Sequence, residues 1–104
     1  MVGDIYLAKI YFTDLSAYKL RPVLVIKELD DDCMCLQLTT QTKTGRLTIG
    51  QQDLVKGGLK KESFVIVPKN FTLHKSIFVK YLATLNLELT GKITREFCLA
   101  MGCV

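Results

Sequence analysis

The apolar residues of this chain fall into short, extended runs separated by turn formers, and only the last stretch changes period. Asp4 to Tyr11 (DIYLAKIY) is rich in Ile, Leu and Tyr, and Pro22 to Lys27 (PVLVIK) is a compact β-branched run that its proline can open but not interrupt. Cys33 to Thr40 (CMCLQLTT) alternates, with Met34, Leu36 and Leu38 on one side and Cys33, Cys35, Gln37 and Thr39 on the other. An acidic turn, Asp30 to Asp32, separates it from the strand before. Further strands are predicted at Arg46 to Ile49, after the polar loop Gln41 to Gly45, at Ser63 to Val67, between a Gly57-Gly58 break and Pro68, and around Phe78 to Thr84.

From Leu87 to Met101 the apolar positions Leu89, Ile93, Phe97, Ala100 and Met101 recur every three or four residues, which predicts an amphipathic helix. Asn86 can cap its start, Glu88 sits in the first turn and Gly102 lies just past its end. Gly91 weakens its interior. The expected fold is mainly β with a C-terminal α-helix: a small, strongly bent antiparallel sheet or SH3-like barrel, with the helix covering an open face.

Length and composition agree with one domain over residues 1–104. With 104 residues, 49% of them hydrophobic, the chain can bury a core of its own and is too apolar for a disordered protein. No stretch reaches the roughly 18 to 20 apolar residues of a membrane span, and Met1-Val2-Gly3-Asp4 has no signal-peptide character, so the cytoplasm is the expected compartment. Cys33, Cys35, Cys98 and Cys103 are then expected as reduced thiols. None forms a CxxC pair and the sole histidine, His74, is far off in sequence, so neither a metal site nor a cysteine nucleophile is expected. The net charge of +4 is mild. Its distribution is more telling: acids gather at Glu28 to Asp32, while Lys19, Arg21, Lys43, Arg46, Lys56, Lys60, Lys61, Lys69, Lys75 and Lys80 are spread over the rest, leaving room for a basic face.

Three polar features stand out. The loop Phe12 to Leu20 is long for a hairpin and carries Tyr18 and Lys19 near its end. Arg21 lies at the mouth of the second strand, held extended by the proline after it. Thr39-Thr40-Gln41-Thr42 gathers hydroxyls and an amide at the end of the third strand. By themselves these residues support no more than a small barrel with a basic side.

Their order carries a resemblance. Gly3-Asp4-Ile5-Tyr6, Phe12-Thr13-Asp14-Leu15-Ser16, Lys19-Leu20-Arg21-Pro22-Val23-Leu24-Val25-Ile26 and Leu38-Thr39-Thr40-Gln41 resemble the MazF/PemK family, the toxin endoribonucleases of type II toxin–antitoxin pairs. The likeness continues through Gly58 to Ser63, Phe71-Thr72-Leu73 and the closing helix. It implies a barrel of the CcdB/PemK type that homodimerises, cleaves single-stranded RNA without a metal or cofactor, and is silenced by an acidic antitoxin. Carried over by position, Arg21 and Thr39 match the catalytic pair, Gln41 a neighbouring polar position, and Phe12 to Leu20 the loop that gates RNA and antitoxin. Tyr18, Lys19, Thr40, Gln41 and Phe71 are the implied RNA contacts.

The chemistry suits the residue types. When a ribose 2′-hydroxyl attacks the adjacent phosphorus, charge builds on the phosphoryl oxygens; a guanidinium donates two aligned hydrogen bonds to phosphate and a threonine hydroxyl a third. The expected products are a 2′,3′-cyclic phosphate and a 5′-hydroxyl. Ile66 to Thr72 departs from the family pattern: a carboxylate is missing and Phe71 stands where an arginine is common. His74 matches no catalytic position. A gyrase-directed poison of the same fold, which this Trp-free chain does not match at its C-terminal end, and a non-catalytic RNA-binding homologue are the alternatives.

Overall fold

A computed structural model describes residues 1–11, 14–42 and 46–102. Phe12, Thr13, Lys43, Thr44, Gly45 and Cys103, which the sequence reading touches, lie outside them. Among the described residues the chain forms seven strands and one α-helix: β1 (Asp4–Tyr11), β2 (Tyr18–Leu29), β3 (Asp32–Thr39), β4 (Leu47–Ile49), β5 (Leu54–Gly57), β6 (Ser63–His74), β7 (Phe78–Leu85) and α1 (Leu87–Ala100). They make one antiparallel sheet in the order β4-β6-β3-β2-β1-β7-β5.

That order explains the curl of the sheet into a half-barrel. Its two edges, β4 and β5, are consecutive in sequence and joined only by Gly50 and a single 3-10 turn, Gln51–Asp53. A flat seven-stranded sheet would hold its edges far apart, since neighbouring strands stand about 4.8 Å from one another. The turn is tied on both sides: the Gly50 N–H donates to Asp53 Oδ2 at 2.9 Å, and the Asn86 N–H donates to the Asp53 carbonyl at 2.8 Å. Both edges are short, which limits the unpaired backbone they expose.

The concave face and the helix enclose the main core. Ile5, Leu24, Leu36, Leu38, Ile49, Val65, Ala83 and Leu85 pack there with Ile93 of α1, and Leu89 and Phe97 add to it from the same helical stripe. The cap reads as expected, Asn86 Oδ1 accepting the Leu89 N–H at 2.7 Å. On the other face Ala8, Val23, Val25, Cys33 and Cys35 form a second buried cluster beneath Met1, Tyr6, Ile10, Leu73 and Phe78. Cys33 and Cys35 are free thiols. Burial pushes the Cys35 thiol up to about 12, so it stays protonated and inert at neutral pH.

Three elements differ from the sequence-based expectation. β2 begins at Tyr18 rather than Pro22, because Tyr18 to Pro22 pair along β1 from Tyr11 to Leu7; the connecting loop is correspondingly shorter. β6 runs past Pro68. The β3–β6 register jumps there, from Leu36↔Asn70 to Leu38↔Val65, and the proline's missing N–H falls within this bulge, where the ladder needs no donor. β5 was not expected at all. It exists by pairing with β7, and Gly57 closes it with φ +75° against the backbone of that strand. A β-carbon on Gly57 would lie 2.2 Å from the Leu82 carbonyl oxygen and 2.7 Å from Ala83 Cα. Gly57→Ala is therefore expected to destabilise the fold by about 1–3 kcal/mol from backbone conformation alone, with the clash adding to it. Urea denaturation reads this directly. A Gly58→Ala control, whose nearest contact is the Gln51 side chain at 3.4 Å, should be far milder.

Candidate functional site

Alternation along β2 and β3 builds the site. On β2, Lys19, Arg21 and Val23 share one face, and on β3 Cys35, Gln37 and Thr39 share that same face, since Val23 pairs with Gln37. Arg21 lies two residues before Val23 and Thr39 two after Gln37. The antiparallel pairing thus sets both at the same end of the sheet. The β1–β2 pairing Ala8↔Arg21 and Ile10↔Lys19 fixes the guanidinium and the Lys19 ammonium on this face from the other side.

A cleft of about 410 Å³ opens there, lined by Ile10, Tyr11, Lys19, Arg21, Gln37, Lys69 and Phe71. Three cations, one amide and two aromatic rings line it, and among the described residues no carboxylate or imidazole does. Lys69 and Phe71 arrive from β6, which the bulge swings across β3, Cys35 pairing with Phe71. The composition suits an anion held beside a flat apolar group, as at a phosphate next to a base.

Thr39 stands at the end of β3, half-buried, its Oγ1 accepting the Gln41 N–H at 3.2 Å. The hydroxyl proton is then free to donate, and the oxygen's direction is fixed. The turn after it is held by Arg46, whose Nη1 donates to the Gln41 carbonyl at 3.0 Å. Across the hairpin, Asp14 Oδ1 accepts both the N–H (3.0 Å) and the hydroxyl (2.7 Å) of Ser16, and these two bonds hold the Asp14 carboxyl below its ordinary range.

The residues singled out in the sequence are therefore not all together. Lys19, Arg21 and Phe71 line the cleft; Thr39 ends β3 on the face of Gln37, and Gln41 lies two residues beyond it in the turn. Tyr18 and Thr40 do not line it. Tyr18 pairs with Tyr11, which borders the cleft from the end of β1, but Tyr18 itself alternates with Lys19 and is not among the lining residues, and Thr40 borders a separate hollow. Gln37 and Lys69 were missed, although the alternation of β3 already put Gln37 on the face of Thr39. His74 is remote, at the far end of β3–β6 opposite Asp32, where its Nδ1 accepts the Ser76 N–H at 3.1 Å. Among the described residues no three His, Cys, Asp or Glu side chains group closely enough to hold a metal ion, and no helix is long and apolar enough to cross a membrane.

Known proteins share this architecture. An endoribonuclease in complex with its cognate antitoxin, from a mycobacterial species, superposes with a TM-score of 0.74 at 21% identity, over 100% of this chain and 94% of that one. The Mycobacterium tuberculosis toxin MazF-mt6 gives a TM-score of 0.75 at 16% identity, covering 97% and 98%. A further mycobacterial endoribonuclease gives 0.69 at 19% identity, covering 98% and 90%. At these identities the likeness is one of fold. No curated protein matches the chain by sequence. Residues 1–101 do match a sequence family, described as the PemK-like, MazF-like toxins of type II toxin–antitoxin systems. With that match spanning nearly the whole sheet and helix, the chain belongs to the PemK/MazF-like toxin family.

Proposed function

We propose that the chain is a sequence-selective endoribonuclease that cleaves single-stranded RNA in the Arg21 cleft without a metal ion or cofactor. The observation that carries this reading is the convergence of Lys19, Arg21 and Lys69 beside Phe71, with a fixed Thr39 hydroxyl at the adjoining strand end. A phosphate seated there meets the Arg21 guanidinium through two N–H donors. Lys19 and Lys69 attract the flanking phosphates, and Phe71 offers a face for a base.

The ribose 2′-oxygen attacks phosphorus, a P–O bond forms, and the bond to the 5′-oxygen breaks. Negative charge on the non-bridging oxygens is greatest midway. Donors held ready for it there lower the barrier without having to reorganise. One proton leaves the 2′-hydroxyl and one reaches the departing 5′-oxygen. Among the described residues no carboxylate or imidazole lines the cleft; solvent base takes the first proton and a water supplies the second. The products are a 2′,3′-cyclic phosphate and a 5′-hydroxyl.

Family membership supports the remaining parts of the reading: a cytoplasmic homodimer and an antitoxin that holds it inactive. The test is incubation of the purified chain with single-stranded RNA in excess EDTA across pH 6 to 8. Cleavage that rises about tenfold per pH unit is expected from attack assisted by solvent base. Intact RNA, or cleavage only when a divalent ion is restored, refutes the proposal, and a bell-shaped profile would point instead to a side-chain base.

A further inference from the structure

The cleft sets an unused polar group beside its cations. Gln37 sits on β3, between β2, which carries Arg21, and β6, which carries Lys69 and Phe71. It pairs with Val23 on β2 but has no partner on β6, since the β3–β6 register passes from Leu36↔Asn70 directly to Leu38↔Val65. The bulge therefore opens the ladder at Gln37 and brings Lys69 and Phe71 to its flank, as bulges next to binding sites re-aim side chains. Half-buried side-chain amides ordinarily find partners. The Gln37 amide makes no hydrogen bond among the described residues and opens into the cleft.

β2 and β6 lie two strand spacings apart, about 10 Å, which a single nucleotide bridges from its phosphate to the edge of its base. We propose that Gln37 reads the base laid on Phe71 and selects the lactam edge of uracil or guanine, a carbonyl next to a ring N–H, over the amidine edge of cytosine or adenine. The proposal rests on the nuclease reading above and adds which bases the cleft takes.

Gln37 alone does not choose, because an amide carries both an acceptor and donors and pairs with either edge by turning over. Phe71 does not choose either, since every base has a face to stack. The charge beside them decides. Against a lactam, Gln37 Oε1 accepts the ring N–H and Nε2 donates to the carbonyl, whose second lone pair faces the Lys69 ammonium. Against an amidine, the same ammonium meets the second N–H of the amino group, donor against donor. Among the described residues no carboxylate lines the cleft to accept that N–H.

Uridine and cytidine differ only at this edge, so hexauridylate and hexacytidylate are a matched pair. Hexainosinate and hexaadenylate repeat the comparison for purines, inosine carrying the lactam edge of guanine. Titrated into the ¹⁵N-labelled chain, the preferred lactam hexamer should shift the Gln37 side-chain NH2 signals together with the Lys69 and Phe71 amides. It should bind about tenfold tighter than its amidine counterpart, the worth of two ordinary hydrogen bonds. Preference within the pyrimidine pair alone assigns uracil, within the purine pair alone guanine, and within both a shared subsite; each supports the proposal. Gln37→Leu should bring the preferred hexamer to within about threefold of its counterpart. Gln37→Glu, which places a carboxylate where an amino group can donate, should reverse the preference. Equal binding of lactam and amidine hexamers, a preference for the amidine hexamers, or a lactam preference that survives both substitutions overturns the proposal, and cleft shifts in those experiments leave the nuclease reading standing. Hexamers that shift no cleft amide overturn both.

Discussion

Arg21→Ala is expected to lower kcat/KM for single-stranded RNA by about 10²–10³-fold, the usual loss when a donor aimed at transition-state charge is removed. The residue is exposed and its side chain packs into neither buried cluster, so the variant should keep the melting temperature of the parent. The drop should lie mostly in kcat, because Lys19 and Lys69 remain to attract the strand. Arg21→Lys should recover little. An ammonium restores the charge but not the planar pair of donors that a phosphate with two developing charges requires. Single-turnover kinetics on a labelled oligonucleotide separates these effects. Growth arrest on induced expression should fall in parallel.

The second large effect concerns the core. Leu24→Ala should cost about 2–5 kcal/mol, a substantial share of the roughly 5–15 kcal/mol that holds a domain of this size together. Leu24 is fully buried on β2, the middle strand of seven, and its neighbours across the ladder are Ile5 and Leu36, both also at zero exposure. Val79→Ala, at a position that is 50% exposed, is the matched control and should fall within about 0.5 kcal/mol of the parent. Urea unfolding followed by circular dichroism reads both.

Much of this architecture is visible in the sequence where one face is buried. β3 follows period two, Leu36 and Leu38 entering the core, and α1 follows its apolar stripe from an Asn86 cap to Gly102, which takes φ +88°. Legibility ends where pairing rather than burial makes the strand. Tyr18 to Arg21 are exposed, so no pattern announces them, and they extend only because β1 lies alongside. β5 owes its existence to the edge of β7 in the same way. Pro68 reads as a strand end until the bulge is seen that accommodates it.

The site follows the same division. Gln37 and Thr39 share a face by simple alternation along β3, which spacing alone shows, whereas Arg21 joins them only through the β2–β3 register. Lys69 and Phe71 could not be placed, because the bulge in β6 shifts the register by which they reach the cleft. Tyr18 falls in the segment that reads as the Phe12 to Leu20 loop, where no face is defined, whereas Thr40 closes the strand that reads from Cys33, on the face opposite Thr39. Once Tyr18 is a strand residue next to Lys19, its side chain has a face, the one opposite Lys19 and Arg21.

The central claim is attack by the ribose 2′-oxygen on a phosphate held by Arg21. It is tested most directly by an RNA substrate carrying a single 2′-deoxyribose at the nucleotide 5′ to the scissile phosphate, compared with its all-ribose twin in EDTA. The account predicts rapid cleavage of the all-ribose strand to a 2′,3′-cyclic phosphate and a 5′-hydroxyl, and no cleavage at the deoxy position. Cleavage of the deoxy strand at the same bond and a similar rate, or a 3′-hydroxyl product from either strand, would contradict it.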